Sequence, residues 1–168
     1  MTTPGGRQPA ELAEPAGWVS TGGRQPAELA EPAGWVSTAG EVSVGTELPP
    51  LTLPPISRTT LALFAGASGD HNPIHIDLDV ARSAGLDDVF AHGMLSMAYL
   101  GRLITNWVPQ ERIRSCGVRF AAITPVHARP TCTGRVVSVE DGLATLELAV
   151  TLADGTVTLA GEATVAIS

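Results

Sequence analysis

At 168 residues, the chain has the length of one domain with enough material for a real core. Its net charge of −7, with cations scattered along the chain, argues against a nucleic-acid surface. All ten cations are arginine, which excludes Schiff-base chemistry, a pyridoxal-phosphate lysine and a P-loop lysine in one step. The longest uncharged apolar run, residues 89–101, contains a histidine and is too short to span a bilayer. No basic-then-apolar leader opens the sequence, and Cys116 and Cys132 have neither CxxC nor metal spacing. A cytoplasmic protein with two reduced thiols is expected.

Residues 5–21, GGRQPAELAEPAGWVST, recur unchanged at 22–38. A tandem copy this regular, rich in proline and glycine, does not read as two packed elements of one core. Residues 1–39 are therefore expected to form a flexible tail ahead of a domain at 40–168. Trp18 and Trp35 could display one short docking motif twice.

Residues 42–56 are interrupted by Pro49, Pro50, Pro54 and Pro55, which suits an edge strand with irregular ends. Ser57 can cap a helix over 58–67, ended by Gly66 and Gly69. Asp79 could cap a short helix at 80–84, closed by Gly85. Gly93 opens a helix reaching about residue 107. Its Met94, Leu95, Met97, Tyr99, Leu100, Leu103 and Ile104 leave hardly any polar face, which predicts a buried helix. Gly101 fits a close helix–sheet contact, and Pro109 stops the helix.

The last third of the chain alternates instead. Strands are predicted at 113–123, 131–139, 145–152 and 156–167, with Asp141-Gly142 and Asp154-Gly155 as hairpin turns. Leu146, Leu148, Val150 and Leu152 share one face, as do Val157, Leu159, Val165 and Ile167. An antiparallel sheet wrapped around one buried helix satisfies both patterns, an α+β arrangement.

The chemistry gathers in Gly69-Asp70-His71-Asn72-Pro73-Ile74-His75 and Ala91-His92-Gly93-Met94-Leu95. Pro73 forbids a regular helix and pushes Asn72 toward an extended conformation, so the first stretch is a shaped loop. Asp70 and His75 could hold a water between them and move protons both ways, or Asp70 could cap a turn beside a half-buried His75. His71 and His75 have helical metal spacing, which Pro73 breaks, so no metal is expected. Ser68 lacks the spacing of a nucleophile elbow. Gly93, starting a buried helix, offers an amide along a favourable dipole to a ligand oxygen, or simply allows close packing. His92 could orient that turn.

These two motifs, 18 residues apart from His75 to Gly93, resemble those of the MaoC-like (R)-specific enoyl-thioester hydratases and dehydratases. Phe64-Ala65 before them, and Val118-Arg119-Phe120 with Pro125-Val126 after them, extend the likeness over about residues 41–168. The resemblance implies a hot-dog fold, with Asp70 and His75 as the catalytic pair, Asn72 orienting substrate or water, and Gly93 as oxyanion donor. It implies reversible syn addition of water to a trans-2-enoyl thioester, without metal or redox cofactor. The thioester would be carried on coenzyme A or acyl carrier protein. It also implies a homodimer built by sheet pairing, or a heterodimer in which one chain is silent. A hot-dog thioesterase is the rival activity. The sequence departs from the pattern at Asp87-Asp88-Val89-Phe90, where many members place a proline. It departs again at His127-Ala128-Arg129-Pro130, which stands for a glycine-aspartate turn and is expected to affect only its own loop.

Overall fold

The computed structural model describes residues 42–167. The repeated segment, and with it the expected boundary at residue 40, lies outside the described residues.

Five strands form one antiparallel sheet in the order β1-β3-β4-β5-β2. They are β1 (Leu51–Thr52), β2 (Ile113–Phe120), β3 (Thr131–Glu140), β4 (Leu143–Thr151) and β5 (Val157–Ala166). The long hairpins pair as the alternation predicts, with Leu146 opposite Val136 and Ala163, and Leu148 opposite Gly134 and Gly161. Ala144, Leu146, Leu148 and Val150 form the buried row of β4. Val157, expected on the same face as Leu159, is instead 42% exposed. The β4–β5 register shifts between Val150 and Thr151, next to where Val157 pairs, so the alternation does not carry through to that end.

The proline-rich run gives less strand than expected. Only Leu51 and Thr52 pair with β3, and Glu47 adds an isolated bridge to Arg135. β2 stops at Phe120 rather than residue 123, because the amides of Ala121 and Ala122 both turn back to the Thr158 carbonyl.

Helix α1 (Arg58–Ser68) begins at the expected cap, with the Ser57 side chain accepting from the Thr60 amide. It runs through Gly66 and ends at Gly69, whose φ of 77° lets its amide reach the Ala65 carbonyl. In α2 (Leu78–Ser83) the cap is Asp77, not Asp79. Asp77 Oδ1 accepts from the amides of Asp79 and Val80 at 2.9 and 3.3 Å, which places Asp79 inside the first turn.

Helix α3 (Gly93–Thr105) packs against β3, β4 and β2 of the sheet. Leu100, Leu103, Ile104, Trp107 and Val108 pack into the main core with Val136, Leu146, Leu148 and Leu159. Gly134 makes room for them: a Cβ there would lie 3.4 Å from Leu103 and 3.1 Å from both Leu48 and Leu148. Along the middle of α3 the packing glycine is thus Gly134 of the sheet and not Gly101, where a Cβ would meet nothing within 4 Å. Nor is α3 buried all round. Met94 is 54% exposed, and Ala98 and Arg102 continue that stripe at i+4 and i+8, because one sheet covers only one side of a helix. At its N-terminal end Leu95 joins a second core with Ile56, Leu61, Ala81, Val89 and Val126. That second core is the floor beneath the two motif loops. No described helix is long and apolar enough to cross a membrane.

Candidate active site

The loop after α1 holds itself in shape. Ser68 Oγ accepts from the Asp70 amide (3.2 Å), Asp70 Oδ1 from the Asn72 amide (3.3 Å) and Asn72 Oδ1 from the Ile74 amide (3.2 Å). Each side-chain oxygen takes the amide two residues on, as short polar side chains do in turns. Pro73 opens a 3₁₀ turn, Pro73–His75, with Asn72 as its cap. The turn points His75 inward, where it is 8% exposed, and leaves Asp70, His71 and Asn72 outside.

His75 then meets the second motif. Its Nδ1 lies 2.9 Å from the Phe90 carbonyl. A carbonyl only accepts, so Nδ1 carries the proton and Nε2 keeps a bare lone pair. The Phe90 ring meets the imidazole edge-on at 4.7 Å. The Phe90–His92 segment is itself fixed by a Phe90–Pro125 bridge and by the Ala91 amide donating to Thr124.

His92 completes the cluster, a larger part than the turn-orienting one expected of it. It is fully buried, its ring centre 4.0 Å from that of His75 at an inclination of 33° and 5.0 Å from that of Phe64 at 55°. Its Nε2 lies 3.2 Å from the Asp70 carbonyl. Burial, and then the neighbouring His75, push the His92 pKa below the usual imidazole range, so the ring is neutral. The sequence did carry a signal: His92 is the one imidazole in a long run without a charged residue. A polar group buried in such a run needs a partner.

Asp70, His75 and His92 offer ligand atoms within 4.8 Å of one another. His71, four residues before His75, stays exposed, and the second imidazole of the cluster is His92. These three groups could hold a water or receive a transition metal, although a carbonyl already engages one ring nitrogen of each histidine.

Gly93 is the first residue of α3, and no acceptor among the described residues takes its amide. It borders a cleft of about 290 Å³ with Phe90, Phe120, Ile123, Thr124 and Leu159. A Cβ at Gly93 would lie 2.8 Å from the Phe120 ring, so close packing does require a glycine here. Packing and an open amide therefore coexist at this position. Asn72 spends its oxygen on the cap, which leaves only its amide nitrogen to donate to a ligand. A larger cleft of about 580 Å³, lined by Leu48, Thr133, Arg135 and Glu147 among others, carries no comparable cluster. Neither thiol offers a nucleophile: both are free, and burial raises the Cys116 pKa and lifts that of Cys132 to about 11.

The two departures from the family pattern prove to be one feature. Arg58 donates to both Asp88 oxygens at 2.6 and 2.7 Å and lies 3.2 Å from His127 Nε2. One guanidinium at the start of α1 thus ties the loop before the His92-Gly93 pair to the turn after Pro125. The effect of His127 is not confined to its own loop.

Fold and site together define a hot-dog protein with one carboxylate and two imidazoles gathered beside a glycine-opened helix. The sequence profile of the MaoC like domain matches residues 42–159, and the chain belongs to that family. It is 34% identical over 92 residues to 3-hydroxyacyl-thioester dehydratase Z of Mycobacterium tuberculosis, covering 51% of this chain and 61% of that one. To an (R)-specific enoyl-CoA hydratase of Rhodospirillum rubrum it is 31% identical over 116 residues, covering 67% and 80%. Among solved structures, the ChsH1–ChsH2 complex of Mycobacterium tuberculosis matches with a TM-score of 0.69 and 26% identity, over 76% of this chain and 99% of that one.

Proposed function

We propose that this chain adds water reversibly to trans-2-enoyl thioesters, giving (R)-3-hydroxyacyl thioesters, with Asp70 and His75 as the catalytic pair. The observation that carries the reading is the bare Nε2 of His75, held by the Phe90 carbonyl beside the Asp70 carboxylate. A water between the two groups loses a proton to one of them, and its oxygen bonds to C3. The C2–C3 π pair moves toward the thioester carbonyl, and the Gly93 amide donates to the enolate oxygen that forms. A proton delivered to C2 by the same pair completes the addition. Both new bonds form on the face that the pair occupies, so the addition is syn. Asn72 orients substrate or water through its amide nitrogen.

The names of the relatives support this chemistry and a thioester carried on coenzyme A or acyl carrier protein. Two free thiols fit a cytoplasmic setting. The catalytic domain is placed at residues 40–168 and works as a homodimer. The likeness to a two-protein complex favours one second reading, in which the chain is a subunit of a heterodimer. Purified alone, the chain is expected to hydrate crotonyl-CoA, followed by loss of enoyl absorbance. Asp70→Asn and His75→Ala each lower that rate at least about 100-fold without unfolding the chain. Near-wild-type turnover by either variant would overturn the assignment of the pair, and release of free thiol would point to a thioesterase.

A further inference from the structure

His92 is buried more completely than either proposed catalytic residue, yet packing does not account for it. Its Nδ1 is buried and has no hydrogen-bond partner among the described residues. A phenylalanine, somewhat larger, would keep an aromatic ring against Phe64 and His75 without stranding a ring nitrogen, which costs free energy. What phenylalanine lacks is the Nε2–H. Asp70's carbonyl can only accept, so at 3.2 Å the His92 Nε2 must be the donor, and the neutral ring has one fixed tautomer.

That donor acts at a place the loop does not hold by itself. The Ser68, Asp70 and Asn72 turns fix amide groups along the loop, whereas His92 alone reaches across from α3's cap to the carbonyl of Asp70. Its other contact is the face of the His75 imidazole, 4.0 Å away and inclined by 33°. One side chain therefore touches the backbone of the acid and the ring of the base. Phe64 from α1, His75 and the Asp70 carbonyl all contact it.

We propose that His92 is a positioning residue that aligns Asp70 with His75, by donating from Nε2 to the Asp70 carbonyl and stacking on the His75 ring. The role rests on the hydration reading above. By staying neutral, His92 also spares His75 a charged neighbour at the moment His75 takes up a proton.

Two variants divide the roles. His92→Phe keeps the aromatic volume and removes the donor, and His92→Gln keeps an N–H at a comparable reach and removes the ring. His92→Phe is expected to fold and to lower kcat for crotonyl-CoA at least about tenfold, with KM within about twofold, because misalignment acts on the chemical step. His92→Gln is expected to recover part of that loss. Wild-type kcat in His92→Phe would overturn the proposal, since a merely space-filling ring predicts that result. A second readout needs no substrate. Nitrogen-15 NMR of the wild-type chain should show His92 protonated at Nε2 and bare at Nδ1, and the carbonyl of Asp70 should shift in His92→Phe. The opposite tautomer would overturn the proposal. A wild-type chain that does not hydrate crotonyl-CoA but shows both NMR signatures would remove the hydration reading and keep the His92–Asp70 link.

Discussion

The chain has two histidine clusters of similar make-up, and they differ in almost every physical respect. In the buried one, His75 and His92 stack on each other beside Asp70, and carbonyls fix the tautomer of each ring. In the other, His127 and Asp88 meet on Arg58, whose side chain is 48% exposed. A guanidinium only donates, so His127 Nε2 accepts and its proton sits on Nδ1, the same tautomer as His75. Tautomer and residue type are thus shared, and burial is what separates the His75–His92 cluster from the Arg58 clasp. Around His92 desolvation dominates, so the ring is held neutral. At Asp88 the Val89 amide comes first and Arg58 adds to it, so the carboxylate is held charged. The first environment removes charge and the second stabilises it.

The sharpest way to break this comparison is to delete one histidine from each cluster. His75→Ala should abolish most hydration, as stated above, while His127→Ala should change crotonyl-CoA turnover by no more than about twofold, the usual scale of a surface change. Equal losses would show that the exposed clasp also serves the chemistry. Next comes Gly93→Ala. The added methyl must push the half-exposed Phe120 ring aside, which should cost at least about tenfold in turnover through misplacement at the cleft. Pairing it with Phe120→Ala should restore part of the loss. An unimproved double variant would mean that the methyl itself obstructs the substrate.

Acid unfolding gives a smaller effect with a definite sign. His92 binds its proton less readily folded than unfolded, so its contribution is fully present above the ordinary value of 6.5 and is lost as pH falls below it. Thermal melts should therefore show stability falling below about pH 6.5, with a shallower fall in His92→Phe. For Asp88 the folded pKa is depressed, so its contribution is present above the ordinary 3.8 and lost only as pH falls through the lower folded value. Asp88→Asn should leave the melt near neutral pH within a few degrees of wild type, since the pair is exposed. A steep loss near pH 6.5 that survives in His92→Phe would assign the transition to another group.

Much of this was legible beforehand because periodicity is local. The β4 row of Leu146, Leu148 and Val150, the cap at Ser57 and the start of α3 at Gly93 are where the residues put them. Errors came where an element's fate depends on a neighbour. Asp79 and Asp77 are equally good caps on paper, and the 3₁₀ turn ending at His75 decides for Asp77. Gly101 reads as the packing glycine from sequence, and only the path of α3 over β3 gives that part to Gly134. Met94 belongs to an apolar run, yet its side of the helix has no sheet against it.

The sequence by itself determined the alternating strands, the helix opened by Gly93 and a proline-shaped loop carrying Asp70 and His75. Those follow from backbone preferences and side-chain periods, which act over a few residues. Only the tertiary structure decided what surrounds the loop. It set the Phe90 carbonyl on His75, buried His92 against two rings and on the Asp70 carbonyl, and joined Asp88 to His127 through Arg58. These contacts join residues 15 to 69 positions apart. Burial and direction at such distances come from packing, which no local pattern encodes.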